Sequence, residues 1–139
     1  MKPLFTVHAG EFVAGDYIER KFRHVNVYIP AKDTGVDLLV SDAENKNPVS
    51  LQIKLSRDYL TNMTAEFQKP LRACGWWTLN REKITRSPAD YWVFVLVGFA
   101  RRSTDFVVIK PDELLRRLVR IHGKPKTFQS YLWVTEKDS

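Results

Sequence analysis

The chain has 139 residues, with a hydrophobic fraction of 44% and a charged fraction of 27%. This composition excludes an intrinsically disordered protein and predicts a single folded domain over residues 1–139. The net charge of +6 favours an anionic partner such as nucleic acid, although many basic proteins bind none.

The first half of the chain predicts a helix followed by three strands. Residues 9–23 carry Ala14 and Ile18 at helical spacing, and Glu11 falls on the same face of that helix. Short strands bounded by turn residues follow at 25–30, 36–42 and 49–56. The last two strands are separated by six residues, which predicts an antiparallel hairpin.

The second half is predicted to be mixed. Residues 57–86 suggest one or two short helices, interrupted by Pro70 and Gly75. The continuous apolar run at 90–99 predicts a strand buried on both faces. A strand at 105–110, a helix from Pro111 to a stop at Gly123, and a strand at 127–136 complete the order. The fold class expected from this order is α/β.

Four polar side chains interrupt these apolar patterns. Asp37 stands alone in an apolar strand, and Glu11 interrupts the apolar side of the first helix. Gln52 and Lys54 share one face of the third strand. Buried carboxylates and lysines need partners, so we expect the four side chains to converge. Several polar side chains at positions where the pattern predicts apolar ones are typical of a functional site.

This set of side chains suits metal-assisted hydrolysis of phosphodiesters. Asp37 offers a carboxylate oxygen to Mg²⁺ or Mn²⁺, Gln52 an amide oxygen and Ile53 its main-chain carbonyl, while Glu11 can bind the metal directly or through water. Lys54 can hold the attacking water or stabilise charge on the phosphorus. The alternative is structural: Asp37 and Lys54 form a cross-strand ion pair, and Gln52 is solvated.

An acidic residue on the first helix, the Asp of "GVDLLV" and the "QIK" of the next strand resemble the PD-(D/E)xK nuclease superfamily. The resemblance is to the variant with Gln in place of the second acid, as in Mrr-like restriction endonucleases. It covers roughly residues 9–100. It implies a restriction-endonuclease-like αβββαβ core, with a central mixed β-sheet flanked by helices. It also implies that Asp37, Gln52 and Lys54 are catalytic and that Glu11 assists the metal.

The activity implied by the resemblance is that of a Mg²⁺-dependent deoxyribonuclease acting as an endonuclease. Two positions depart from the family's pattern. Val36 precedes the Asp in place of Pro, and Gln52 removes a negative charge from the metal site. The second departure keeps an alternative open, a nuclease-fold protein that binds nucleic acid or a protein partner without cleaving. The residues themselves do not choose between DNA and RNA.

Basic residues near the predicted site are candidates for contact with nucleic acid. Phosphate oxygens are bound mainly by Arg and Lys side chains, although a solvated charged face has the same composition. Trp76 and Trp77 can stack on unpaired bases, but adjacent tryptophans more often bury one ring and leave the other half exposed. The predicted phosphate contacts are Arg57, Arg81, Lys83 and Arg86.

The last predicted strand has two chemically different faces. Phe128, Leu132 and Val134 lie on one face, where they can serve the core, and Tyr131 and Trp133 lie on the other. Because exposed aromatics are enriched at protein interfaces, we predict a homodimer that uses this region. The alternative is that both rings pack beneath the last helix of the same chain.

The sequence predicts a cytoplasmic protein without membrane contact. Its longest apolar run, residues 91–100, has about half the roughly 20 residues that a spanning helix needs. The N-terminus lacks the apolar core of a signal peptide, and Cys74 is the chain's one cysteine, which fits a reducing compartment.

Overall fold

The architecture is taken from a computed structural model that describes residues 4–32, 34–57, 71–98 and 103–135. In these ranges the chain forms three helices and seven strands. They are α1 (Leu4–Lys21), β1 (Val25–Tyr28), β2 (Leu38–Asp42), β3 (Val49–Arg57), β4 (Leu71–Asn80), α2 (Arg81–Thr85), β5 (Tyr91–Gly98), β6 (Ser103–Ile109), α3 (Pro111–His122) and β7 (Thr127–Thr135).

A five-stranded mixed sheet lies at the centre, with the strand order β1-β2-β3-β5-β6. The first three strands are antiparallel neighbours, β3 and β5 are parallel, and β6 is antiparallel to β5. A parallel pair needs a long crossover, which the chain makes between β3 and β5. The predicted α/β class, with a central mixed sheet flanked by helices, is confirmed.

Each face of this sheet packs on its own apolar core. On the α1 side, Ala14 and Ile53 are buried together with Val95. On the other side, Phe94 packs with Leu118 of α3 and with residues of β4 and β7. The central strand β5 sends alternate residues into both cores, so its burial on both faces, predicted from its continuous apolar run, is confirmed.

The prediction of helices across residues 57–86 is wrong for 71–80, which form β4. This strand pairs antiparallel with β7 in a second, two-stranded sheet. The sequence pattern is obscured because Cys74 is buried as well as its neighbours Ala73 and Gly75. Gly75 is needed for packing and not for breaking a helix, since a Cβ there would lie 2.5 Å from the Trp77 ring. Residues 58–70 lie outside the described part of the chain.

Helix α1 docks on β3 through a close approach at Gly10. A Cβ at this position would lie 2.9 Å from the Leu55 Cβ and 3.2 Å from the Ile53 Cγ2. The docking of α1 on β3 therefore requires a residue without a side chain at position 10. Within the described ranges, no helix is long and apolar enough to cross a membrane.

Alanine substitutions at two glycines of α1 are expected to have opposite effects. Gly10→Ala should destabilise the protein by about 1–3 kcal/mol, because the added Cβ pushes the helix away from β3. Gly15→Ala is the matched control, because its Cβ would meet neighbours at 3.8 and 3.9 Å and should add about 0.5–1 kcal/mol through helix propensity. Urea unfolding measures both. Equal effects of the two substitutions would contradict the docking described for α1.

The turn between β2 and β3 has the predicted six residues and is closed by Asp42. The Asp42 carboxylate accepts hydrogen bonds from the main-chain N–H of Lys46 at 2.8 Å, from the Asn47 amide at 2.9 Å and from the Glu44 N–H at 3.0 Å. These bonds hold the pKa of Asp42 below its ordinary value, the Lys46 N–H having the largest effect. The turn fixes the register that sets Leu38 opposite Leu51.

Asp42→Asn is expected to lower the melting temperature at neutral pH, with a difference that disappears in acid. The folded-state pKa is lowered, so the contribution of the carboxylate is present above its ordinary pKa of 3.8 and is lost as the pH falls through the lower folded value. Glu44→Gln is the control, since it changes an exposed side chain of the same turn. A difference between wild type and Asp42→Asn that persists well below pH 3.8 would contradict this role.

Candidate active site

Asp37 lies one residue before β2, and not within the strand as predicted. Its main-chain N–H donates to the Leu51 carbonyl at 2.8 Å, which extends the pairing with β3 beyond the strand's first residue. The half-buried carboxylate faces β3, where its Oδ2 accepts hydrogen bonds from the Gln52 Nε2 at 2.9 Å and from the Ile53 N–H at 2.7 Å. The predicted convergence of Asp37 with Gln52 is therefore present.

Gln52 is half-buried, and its amide nitrogen is the group that meets Asp37. The alternative in which Gln52 is merely solvated is wrong. The hydrogen bond gives the carboxylate a neutral donor in place of a second charge. A glutamate at this position would bring two like charges to the same distance, which raises the pKa of such a pair in the absence of a cation.

Lys54 shares the face of β3 that carries Gln52, two residues further along the strand. Its Nζ lies 5.3 Å from the centroid of the Trp92 ring on the neighbouring strand β5. The indole is fixed in turn, because Trp92 Nε1 donates to the Ser87 Oγ at 2.8 Å. A cation over an indole ring is stabilised by about 0.5–1 kcal/mol, which favours one position for the ammonium group.

A cavity of about 630 Å³ opens beside Gln52 and Lys54. Trp92 lines it from β5, and Lys83 and Arg86 line it from α2 and the residue that follows that helix. Its described lining carries three cations and one carboxylate, that of Glu82. Gln52 joins the cavity to Asp37, since it lines the first and donates a hydrogen bond to the second. The arrangement favours an anionic ligand.

Two of the four predicted phosphate contacts, Lys83 and Arg86, line this cavity. Arg86 also forms an exposed ion pair with Glu82 at 3.0 Å. Arg81 is partly used elsewhere, since its Nε donates to the Pro125 carbonyl at 2.8 Å and ties α2 to the loop before β7. The side chain of Arg57 lies outside the described part of the structure.

Glu11 is half-buried on α1. The neighbouring Gly10 packs against Ile53 and Leu55, whose side chains point to the face of β3 opposite Gln52 and Lys54. Glu11 therefore belongs to a helix that packs on the other face of the sheet, near the carboxyl end of β3. Its role as a metal ligand stays a prediction.

The oxygen atoms around Asp37 are of the types that a hard divalent cation such as Mg²⁺ accepts as ligands. In the described residues no group of three or more His, Cys, Asp or Glu side chains could hold a metal ion. The donors are instead one carboxylate, the Gln52 amide and the main-chain carbonyl of Ile53, and Mg²⁺ accepts oxygen ligands of all three kinds with water in the remaining positions. To offer its oxygen, the Gln52 amide has to turn away from Asp37.

The contribution of the Trp92 ring to the site is not predicted by the sequence. Trp92 was assigned only to a buried strand, and Ser87, which holds its indole, was not identified. The position of Trp92 follows from the parallel pairing of β3 with β5, which sets Gln52 opposite Trp92. Gln52 and an aromatic residue in register on two neighbouring strands, with Lys54 two residues further along, are the signal that could have identified Trp92 once that pairing is known.

Comparison of the chain with protein-family models, with curated proteins and with solved structures finds no significant match. The chemistry of Asp37, Gln52, Lys54 and the basic cavity is therefore the basis on which a function is assigned.

Proposed function

We propose that this protein is a metal-dependent nuclease of the PD-(D/E)xK type that hydrolyses phosphodiester bonds of DNA. The observation that carries the proposal is the pairing of Asp37 with Gln52 at 2.9 Å, beside a cavity lined by Lys54, Lys83 and Arg86. The order α1-β1-β2-β3, followed after β4 and α2 by β5, which is parallel to β3, supports a restriction-endonuclease-like core.

Each residue has a distinct part in the proposed reaction. Asp37, Gln52 and the Ile53 carbonyl would hold Mg²⁺ or Mn²⁺, which would act there as a Lewis acid and lower the pKa of a bound water. The Ile53 N–H orients the Asp37 carboxylate through its hydrogen bond of 2.7 Å. Lys54, held over the Trp92 ring, is the cation available to stabilise negative charge on the phosphorus.

The basic lining of the cavity supports an extended, anionic substrate. Lys83 and Arg86 line the cavity together with Lys54, so they can bind the phosphates that flank the reacting one. Such contacts position a nucleic acid without reading its sequence. They suit a nuclease whose specificity is set outside this cavity.

A second candidate function is that of a nuclease-fold protein that binds nucleic acid without cleaving it. The observation that favours it is the direction of the Gln52 hydrogen bond. Because the amide nitrogen already satisfies Asp37, the pair is stable without a cation. The two candidates differ in metal affinity, and only the first predicts that Mg²⁺ raises the melting temperature of the free protein.

The decisive experiment for the proposed function is a cleavage assay on plasmid, linear duplex and single-stranded substrates, with Mg²⁺, Mn²⁺ or EDTA. We expect cleavage with either metal and none with EDTA. Binding of all three substrates without cleavage under any metal condition would favour the second candidate. Cleavage that persists in EDTA would contradict a metal-dependent mechanism.

A further inference from the structure

Three aromatic side chains form an exposed strip on the outer face of the β4–β7 sheet. This aromatic strip consists of Trp76, Tyr131 and Trp133, whose exposed fractions are 36%, 54% and 53%. Trp76 and Tyr131 are direct cross-strand partners, and Trp133 lies two residues beyond Tyr131 on the same face. The alternative in which Tyr131 and Trp133 pack beneath the last helix is wrong.

The opposite face of the same two strands packs on the core and holds the aromatic strip in place. Trp77 and Phe128 are buried in the core beneath it, and Leu132 and Val134 pack against that core. The strip is therefore held in place by residues that alternate with its own, and its three rings are not needed to fill the core. Rings about 6–7 Å apart along a strand make a broad, pre-ordered apolar surface.

The strip adjoins the candidate active site through β3. The Trp76 N–H donates to the Ser56 Oγ at 3.2 Å. Ser56 lies two residues after Lys54 and on the same face of β3. At its other end β4 reaches the cavity, which Asn80 lines. Asn80 lies four positions after Trp76 in the extended strand, a distance of about 13 Å.

We infer that the aromatic strip binds the bases of a single-stranded segment of the nucleic-acid substrate. The inference rests on the proposed function, because it assigns a substrate class to the same site. Flat exposed rings stack on bases of any sequence, and they are placed here about 13 Å along β4 from a cavity with cations for the phosphates. A strand that has its phosphates in the cavity can therefore lay neighbouring unpaired bases on the strip.

Charge favours this occupant over a second copy of the chain. The protein carries a net charge of +6, so two copies repel each other while a polyanion is attracted. Among the side chains that the structure describes on the two strands, the strip's exposed neighbours Thr78 and Gln129 are uncharged and offer no ion pair to a protein partner. The predicted homodimer through the C-terminal region would use the same surface, so the two occupants exclude each other.

The test measures binding by fluorescence anisotropy in EDTA, where cleavage does not interfere. The probes are labelled oligo-dT of about 12 nucleotides, an abasic strand of equal length and a duplex of equal length. Tyr131→Ala and Trp133→Ala should each weaken oligo-dT binding about tenfold or more, and should leave the abasic strand and the duplex unaffected. The matched control is Phe12→Ala, which removes a ring that is 75% exposed on α1 and should change none of the three affinities.

Several outcomes would overturn the inference. Unchanged oligo-dT binding by both variants, or equal losses on the abasic strand, would show that the rings do not stack on bases. A dimeric wild type that both variants convert to a monomer, as measured by light scattering, would assign the strip to self-association. Because binding is measured without metal, an absence of cleavage would count against the proposed nuclease and not against the strip.

Discussion

Lys54→Ala is expected to lower the rate of DNA cleavage by about 10²–10³-fold, the usual cost of removing one group that stabilises charge in the transition state. The ammonium lies over the Trp92 ring and lines the cavity. Under the proposed function, its loss removes a cation beside the reacting phosphate. The fold should persist, because the side chain is only partly buried and a cation–π interaction of this kind contributes about 0.5–1 kcal/mol. Single-turnover cleavage of a labelled duplex, with melting temperature measured alongside, gives both values.

Lys46→Ala is the matched control for this substitution. Lys46 is exposed in the turn between β2 and β3, where its main-chain N–H donates to the Asp42 carboxylate and its main-chain carbonyl accepts from the Asp42 N–H. An alanine keeps both of these main-chain bonds. Its loss lowers the net charge by the same amount as the loss of Lys54, so a general weakening of attraction for DNA appears in both variants. A wild-type cleavage rate in Lys54→Ala, or equal losses of cleavage rate in the two variants, would contradict the assignment of Lys54 as a catalytic residue.

Gln52→Glu is expected to make the protein depend on metal for stability. In EDTA the new carboxylate replaces a donor that lies 2.9 Å from Asp37, so two negative charges meet and the melting temperature falls. With excess Mg²⁺ the second carboxylate should tighten binding. A tenfold gain in affinity adds about 1.4 kcal/mol, which for a chain of this size raises the melting temperature by roughly 3–5 °C more than in wild type.

The same variant should show a characteristic pH dependence in EDTA. The paired carboxylates hold a proton more tightly when folded than when unfolded, so stability is regained as the pH falls through the raised pKa of the pair. Gln129→Glu, an exposed substitution on β7, controls for the added charge and should show neither the Mg²⁺ response nor this pH dependence. A Mg²⁺ response no larger than that of wild type would contradict the assignment of Gln52 to a metal site.

The sequence predicts those helices, strands and turns whose boundaries are set by residues within the same short stretch of chain. Helix α3 begins at Pro111 and is followed by Gly123 with a φ of 76°, as its sequence indicates. The six-residue turn and the central strand β5 are likewise local features. Strand β4 could not be predicted in this way, because it exists through its pairing with β7, far along the chain, and through the Trp77 ring that covers Gly75.

The residues of the candidate site also differ in whether local sequence predicts their positions. The approach of Asp37 to Gln52 was predictable, since a hairpin brings neighbouring strands together and both residues interrupt apolar patterns. The ring beneath Lys54 and the cations of the cavity depend on the parallel pairing of β3 with β5 and on where α2 lies. The sequence named Lys83 and Arg86 as basic candidates, but only tertiary structure places them beside Lys54.

The most direct test of a metal-dependent nuclease at this site is the cleavage rate of Asp37→Asn beside that of wild type, in Mg²⁺ and under single-turnover conditions. Asparagine keeps an oxygen that can accept the Ile53 N–H, so it removes the charge while preserving the shape of the site. The proposed function predicts that wild type cleaves and that a folded Asp37→Asn variant does not. Equal cleavage by the two proteins, purified in the same way, would contradict it.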